Sequence, residues 1–376
     1  MAKGMVAFAR HRMTRRNAGA RAGKLDELVS VGHVDRDDPA WHREVQDLLA
    51  RSRAFDRVTR RSQRCFGEWV PGSDAETAAR VAARLRESIR RGEPSSFIRL
   101  GDGEGKVLAF GTLDYPNLTR SALERLSCLY FGTSNPLTRH CDELREGLLA
   151  SIAGATFVGI PTGWRLEYQR DKVLEEVRCA EELLGVWTVT QLVLKHKRRL
   201  HLRTKMGASS TFHKFVLEHI PSLVSGRRIG LITCHRNLVD AFRDRFDTRV
   251  VDYHAVPPPV YFLPAHERHD NGHFPGRYRE LLNDLHSVQA GVLYIVAAGM
   301  PGKVYCETVR RHGGIAFDIG HSMDVLAGVR GRKNITDDMV NKYQIVERPS
   351  VLVHGGSEKS PGQPLGGRAL PRPDDR

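Results

Sequence analysis

The sequence has no run of about 18 consecutive apolar residues, the length that a helix needs to cross a bilayer. This absence excludes a protein built on membrane-spanning helices. The basic N-terminus lacks the apolar core of a secretory signal peptide. The six cysteines are scattered without any C-x-x-C spacing, which speaks against a disulfide framework and against a cysteine-based zinc site. From these absences we expect a cytoplasmic protein with reduced cysteines.

What the sequence has in excess is positive charge, with 58 basic against 44 acidic residues and a net charge of +14. One basic group precedes Asp26, the first acidic residue: Lys3, Arg10, Arg12, Arg15, Arg16, Arg21 and Lys24. We interpret this arm as a solvated, disordered tail in preference to a contact with nucleic acid or with an anionic membrane face. A second basic group lies within residues 195–205 beside apolar residues, where it is better placed to meet a phosphate-bearing substrate.

The chain divides into three predicted segments. Residues 1–72 form a basic N-terminal extension, partly disordered and partly helical, with the helix starting at Asp38-Pro39. Residues 73–332 form the compact domain, which opens on a Ser73-x-x-Glu76 capping box. Residues 333–376 form a C-terminal segment that ends in a flexible tail rich in glycine and proline.

Short apolar stretches alternate with amphipathic ones through the compact domain. Strands are predicted up to Leu100 and at 156–160, 228–233, 249–253, 292–297 and 315–317, and helices near 119–130, 136–152, 171–200, 211–220, 277–287 and 302–312. This order predicts an α/β, Rossmann-like fold with a mostly parallel sheet and helices on both faces. Ligands of such sheets bind beyond the carboxyl ends of the strands. The residues expected at that edge are Asp102, His235, His254, Gly299 and Asp318.

The segment 96–110 is the most informative one. A predicted strand runs into glycines at 101, 103 and 105, with Asp102 and Glu104 between them, and an apolar helical pattern follows. Glycines let a ligand approach the backbone, and two carboxylates suit a hard divalent cation that in turn binds phosphate oxygens. This pattern predicts a metal–diphosphate site. The alternative is that both acids only cap the following helix.

Two blocks carry a family resemblance. Arg99-Leu100-Gly101-Asp102-Gly103-Glu104 resembles the R-x-G-D-G-E signature of bacterial GT-D-fold glycosyltransferases, and residues 298–321, ending in D-I-G-H, resemble that family's closing strand–helix–strand. The resemblance covers about residues 75–330. It implies a metal-dependent transferase that moves a sugar from a nucleotide-diphosphate donor to a glycan or glycoconjugate.

The resemblance also assigns roles to single residues. It implies that Asp102 and Glu104 hold Mn²⁺ or Mg²⁺ and the donor, that Arg99 is a buried support or a phosphate contact, and that Asp318 and His321 lie near the donor. We expect the donor to be a UDP-sugar before any other nucleotide sugar.

The candidates for the general base and for the phosphate contacts are chosen by their position in the sequence. Family members often place acids directly after D-I-G-H, whereas Ser322 and Met323 follow here, and Asp324 is the candidate base as the nearest carboxylate. The predicted donor contacts are Gly101, Gly103, Lys205, Gly299 and Lys303. Lys303 is preferred to Arg203 and Lys205 as the cation over the diphosphate because it lies at a predicted helix start.

Two other functions compete. Gly101-x-Gly103-x-Gly105 after a strand also resembles the glycine loop of an S-adenosylmethionine-dependent methyltransferase, but the segment Asp114-Tyr115-Pro116-Asn117 is turn-like where an acid-bearing strand end is needed. A nucleic-acid-binding protein would explain the charge but not the acidic segment, so nucleic acid is not the expected partner. We therefore predict a glycosyltransferase, and a peripheral contact at the inner membrane face is the alternative role of the basic arm. His235 and His254 are interpreted as ordinary edge histidines rather than catalysts.

Overall fold

The structure, a computed structural model, describes residues 38–61, 74–112, 114–161, 163–196, 206–209, 216–263, 268–330 and 335–346. The basic arm, the glycine- and proline-rich tail, Arg203 and Lys205 lie outside these ranges. Of the described helices, none has both the length and the apolar character needed to cross a membrane.

At least one helix separates every two strands that are consecutive in the chain, as the apolar pattern predicts. In chain order they are α1 (Pro39–Arg61), α2 (Asp74–Arg91), β1 (Ser95–Arg99), α3 (Asp102–Ala109), α4 (Pro116–Phe131), α5 (Asn135–Gly154), β2 (Phe157–Ile160), α6 (Gly163–Glu175), α7 (Ala180–His196), β3 (Met206–Ala208), α8 (Ile220–Val224), β4 (Arg228–Thr233), α9 (Leu238–Phe246), β5 (Arg249–Ala255), α10 (Tyr278–Asp284), β6 (Leu293–Ala297), α11 (Pro301–Arg311), β7 (Ile315–Asp318), α12 (Ser322–Leu326) and α13 (Asp337–Tyr343).

The seven strands form one sheet in the order β3-β2-β1-β7-β6-β4-β5, and every described pair of neighbours is parallel. The chain runs outward from β1 to β3 on one side and from β4 to β5 on the other, and β6 and β7 fill the centre. The carboxyl ends of β1, β7, β6 and β4 are therefore neighbours, which is where a sheet of this kind binds ligands. The predicted α/β, Rossmann-like fold is confirmed.

Alternate residues of the central strands enter separate cores on the two faces of the sheet. Ile98 packs with the layer that contains α3, α5 and α11, whereas Phe97 packs with the layer that contains α2, α9 and α12. Strands buried on both faces are expected to be mostly apolar, and β6 is apolar throughout. Strand β7 is apolar up to its last residue, Asp318, whereas β1 is buried although it begins with two serines and ends in Arg99. A third cluster joins α1 to α4, α6 and α7 through Trp41, Val45 and Leu48. The predicted helix after Pro39 therefore packs on the domain, and the boundary predicted at residue 73 stays a prediction.

Three local predictions are corrected. The continuous helix predicted over 171–200 is broken: α6 ends at Glu175, a single 3₁₀ turn spans Val177–Cys179, and α7 starts afresh at Ala180. Glu181 and Glu182 in the first turn of α7 stabilise this new start, because acidic side chains favour a helix N-terminus. The helix predicted over 211–220 is described only from Val216, where a 3₁₀ turn precedes α8.

The third correction concerns the acidic segment. The predicted turn at 101–105 is already helical, because α3 begins at Asp102 and Gly101 is its N-cap. Asp102 and Glu104 therefore occupy the first and third positions of a helix.

Candidate functional site

The predicted edge residues lie where parallel strands end. Glu104 follows β1 within α3, Gly299 and Lys303 follow β6, Asp318 ends β7, and His235 follows β4. Two helices also begin at this edge, α3 at Asp102 and α11 at Pro301. Their N-terminal N–H groups give this edge a partial positive charge without any side chain.

Lys303 is the centre of a buried cluster at this edge. Its Nζ lies 2.9 Å from Glu104 Oε1, 3.0 Å from Asp318 Oδ2 and 2.9 Å from the carbonyl oxygen of Gly299. An ammonium group has three N–H donors, and three oxygens lie within 3.0 Å of this one. The Lys303 side chain is 2% exposed. In this arrangement Lys303 holds two carboxylates together, and its predicted contact with donor phosphate stays a prediction.

Arg99 completes the cluster on the side of β1. Its Nε lies 3.6 Å from Asp318 Oδ2, and the backbone N–H of Gly320 donates to Asp318 Oδ1 over 3.1 Å. Gly320 has a φ of +47°, and a Cβ there would overlap the guanidinium group of Arg99. Glycine at 320 therefore suits the positive φ, and a side chain there would also displace the guanidinium group of Arg99.

Opposite charges decide the protonation states in this cluster. Burial alone would raise the pKa of the Glu104 carboxyl, but Lys303 and Arg99 outweigh it and hold that pKa below the ordinary value. Burial alone would lower the pKa of the Lys303 ammonium, but Asp318 and Glu104 raise it. Both groups are therefore charged at neutral pH.

Asp102 belongs to a different cluster on the other side of α3. Its Oδ2 lies 3.5 Å from Lys106 Nζ, and its side chain is 39% exposed. Burial would lower the pKa of Lys106, and Glu182, Asp102 and Glu181 raise it instead. Arg125 binds the same glutamates, with Nη1 3.2 Å from Glu181 Oε2.

The helix itself separates the two acids. Residues two positions apart in an α-helix point about 200° apart around its axis. Glu104 thus accepts from the N–H of Gly101 at 2.7 Å and faces Lys303, while Asp102 faces Lys106. A Cβ on Gly105 would overlap the carbonyl of Gly185, so α3 also lies backbone to backbone against α7.

A divalent cation shared by Asp102 and Glu104 does not fit this arrangement. Both Glu104 oxygens already accept from donors of the chain, and Asp102 has its own ammonium partner. Within the part of the chain that the structure describes, no three His, Cys, Asp or Glu side chains are grouped so that they could hold a metal ion. Metal binding by this pair stays a prediction.

The structure adds a pair that sequence reasoning missed. His235 Nε2 lies 2.9 Å from Asp324 Oδ1, although the two residues are far apart in the chain. Burial would lower the pKa of His235, but its bonds to Asp324 and Cys234 raise it to about 10. The signal available in the sequence was the position of both residues near strand ends: His235 lies two residues after β4, and Asp324 lies six residues after β7.

The remaining predicted residues are placed as follows. Gly101 caps α3, and Gly103 lies within it, where an added Cβ would meet Met300 at an ordinary distance of 3.6 Å. Gly299 has a φ of +62° and packs against Tyr130. His321 is 9% exposed and is the N-cap of α12. The structure thus brings Arg99, Glu104, Gly299, Lys303 and Asp318 together and leaves Asp102 apart; Lys205 lies outside the described residues.

Comparison with known proteins adds one finding. The family model for the GT-D fold-like domain matches residues 76–253, which include the R-x-G-D-G-E block and end in β5, before the D-I-G-H block. Neither the curated proteins nor the solved structures gave a significant match.

Proposed function

This chain contains a GT-D fold-like domain with a glycosyltransferase-type fold, and from that premise we propose that it transfers a sugar from a nucleotide-diphosphate donor to a glycan or glycoconjugate. The observation that carries the proposal is the placement of the R-x-G-D-G-E segment. Arg99 and Glu104 of this segment meet Asp318 and Lys303 at the carboxyl edge of the sheet.

The edge suits a diphosphate in two ways. The N-termini of α3 and α11 point their N–H groups toward it, and backbone N–H groups at helix starts bind phosphate oxygens. The side chain of Arg99 is 16% exposed, so it is the cation of the cluster that is best placed to reach a ligand. A UDP-sugar is the first donor to test.

The reaction requires one bond to form and one to break. The acceptor hydroxyl oxygen forms a bond to the anomeric carbon of the donor sugar, and the bond between that carbon and the diphosphate oxygen breaks with its electron pair on the diphosphate. The acceptor proton passes to a base. We assign that base to Asp324, whose side chain is 10% exposed at the edge of the sheet.

Binding of the expected Mn²⁺ or Mg²⁺ between Asp102 and Glu104 requires a rearrangement of side chains. Glu104 can act as a metal ligand beside Asp102 only if it gives up its contact with Lys303 and turns toward the other side of α3. The metal is therefore a prediction to be tested separately from donor binding.

The test of the proposed function is a thermal-shift screen of UDP-, GDP- and dTDP-sugars, each with manganese and with EDTA. We expect at least one UDP-sugar to raise the melting temperature, because a ligand that binds only the folded state stabilises it. If no nucleotide sugar raises it under either condition, the transferase proposal is wrong.

The Asp102→Asn variant tests the metal separately. It keeps the shape of residue 102 and removes its charge, so we expect it to abolish any part of donor binding that depends on manganese. If that part is unchanged in the variant, Asp102 serves only the start of α3. Measurement of UDP binding with and without manganese by calorimetry distinguishes these results.

The basic arm at residues 3–24 suggests a peripheral contact with an anionic membrane surface. Co-sedimentation with vesicles containing phosphatidylserine tests this contact, with neutral phosphatidylcholine vesicles as the control. Binding to both kinds of vesicle, or to neither, would contradict an electrostatic contact.

A further inference from the structure

The pair formed by His235 and Asp324 connects two strand ends at the proposed catalytic edge. His235 follows β4, and Asp324 lies in α12 beyond β7. Between these strands lies β6, which pairs with both. The 2.9 Å contact therefore spans the centre of the sheet and fixes the segment after β7 to the end of β4.

His235 and Asp324 differ in solvent exposure, and this difference indicates different roles. His235 has no exposed surface, so it cannot touch an acceptor, whereas the Asp324 side chain retains 10% exposure. One oxygen of Asp324, Oδ1, accepts from His235, and a carboxylate has further acceptor sites on its second oxygen. A carboxylate held by one buried N–H has a fixed orientation and can still take a proton.

We propose that His235 is a positioning residue that orients the Asp324 carboxylate for removal of the acceptor proton. This inference rests on the proposed function, because it assigns Asp324 to that step. The proton moves from the acceptor hydroxyl to Asp324, and His235 keeps its own proton throughout. A small misplacement of a base can lower the rate by about 100-fold, so the contact has a measurable effect on turnover.

The neighbouring strand β5 provides a matched control. His254 Nε2 lies 3.1 Å from Asp252 Oδ2, and the same oxygen accepts from the Tyr294 hydroxyl at 3.0 Å. This pair also joins a histidine to an aspartate near the carboxyl edge, but Asp252 lies on the same strand as His254. The pair does not hold the segment after β7, and its loss is expected to affect stability alone.

The experiment compares substitutions at both histidines. The readout is UDP release from UDP-glucose, UDP-galactose and UDP-N-acetylglucosamine, with water as the acceptor. For His235→Leu we expect kcat to fall by about 10- to 100-fold with KM changed by less than about twofold, because donor binding does not involve this pair. His235→Gln, whose amide nitrogen can donate near the position of Nε2, is expected to recover most of the loss. His254→Leu is expected to retain kcat.

A double mutant tests whether His235 acts through Asp324. If it does, His235→Leu adds no further loss to Asp324→Asn, because the carboxylate that it orients is already absent. If the two losses multiply, or if His235→Leu retains full kcat, the positioning role is wrong. Should leucine at 235 prevent folding, His235→Asn replaces it, because asparagine is polar but too short to reach Asp324.

The result that would contradict the proposed function differs from the result that would contradict the role of His235. A wild-type protein that releases no UDP from these donors and is stabilised by no nucleotide sugar in the thermal-shift screen would overturn the transferase proposal and this inference together. A wild-type protein that turns over while His235→Leu is equally active would overturn the inference alone.

Discussion

The two sides of helix α3 carry similar charges but are built differently. On one side the Lys303 ammonium is enclosed by Glu104, Asp318 and a backbone carbonyl that come from three strand ends. On the other side Lys106 lies 3.5 Å from a half-exposed Asp102, near glutamates of α7 that Arg125 also binds. The cluster around Lys303 therefore depends on the single ammonium group at its centre. In the cluster around Lys106, several basic and acidic side chains share the interactions.

The largest expected effect comes from removing each lysine in turn. Lys303→Met leaves Glu104 and Asp318 buried with one cation fewer, and breaking a buried pair in this way costs about 3–5 kcal/mol of unfolding free energy. Lys106→Met is expected to cost less, about 1–3 kcal/mol, because Arg125 still binds the glutamates and Asp102 reaches solvent. Urea denaturation of both variants measures the difference, and equal losses would contradict the contrast between the two clusters.

The Lys303→Met variant also tests whether Lys303 competes with a metal ion for the carboxylates of Glu104 and Asp318. With the ammonium gone, Glu104 and Asp318 form an acidic pair without its central cation, and we expect Mn²⁺ to raise the melting temperature of this variant more than that of the wild type. An equal response of both proteins to manganese would mean that Lys303 does not compete with a metal.

The second effect concerns pH at the catalytic edge. The pKa of His235 is raised from 6.5 to about 10, so the folded state holds a proton that the unfolded state has lost. Its contribution is fully present below pH 6.5 and is lost as pH rises to about 10, by about 1.4 kcal/mol per pH unit at most. We expect His235→Gln to flatten this part of the stability curve, measured as urea midpoints from pH 6 to pH 10. If the stability of the variant falls as steeply between pH 6 and pH 10 as that of the wild type, a group other than His235 causes the pH dependence.

Two glycines of α3 give the third comparison. Gly105→Ala places a Cβ on the backbone of α7, and overpacking of this kind costs about 1–3 kcal/mol or more. Gly103→Ala meets only Met300 at 3.6 Å and improves helix propensity, so it is expected to be neutral or stabilising by up to about 1 kcal/mol. Thermal denaturation compares the two variants. If Gly103→Ala keeps its stability but weakens UDP binding, the donor passes close to Gly103.

The smallest effect is expected for Asp102→Asn in the absence of ligand. Its carboxylate is 39% exposed and 3.5 Å from Lys106, and pairs of this kind contribute about 0–1 kcal/mol. A loss above about 2 kcal/mol in urea denaturation would show that Asp102 is essential to the cluster around Lys106.

The positions of most strands of the sheet could be predicted from the sequence alone. The strands at 156–160, 228–233 and 315–317 were recognisable as short apolar stretches between helical patterns, and they are present within one or two residues. Their parallel order then places Asp318 and Gly299 at one edge without further information. These predictions depend on local pattern and on a general rule of topology.

The sequence did not reveal which residues contact Asp102 and Glu104. Placing the start of α3 a few residues too late made Asp102 and Glu104 neighbours in a turn, whereas one helical turn points them apart. The contact between Glu104 and Lys303 depends on the order of β1, β7 and β6, which places the starts of α3 and α11 at one edge of the sheet, and no local pattern contains it. The same holds for His235 and Asp324, whose contact depends on the order of β4, β6 and β7.

The composition of the Lys303 cluster has a consequence for how a donor is attracted. Two cations, Arg99 and Lys303, balance two anions, Glu104 and Asp318, so this group of side chains has no net charge. These four side chains therefore contribute little long-range attraction to an approaching diphosphate, and their own contribution to recognition depends on contacts that form at short distance. A donor affinity that falls steeply with rising ionic strength would therefore assign the attraction to basic residues outside this cluster.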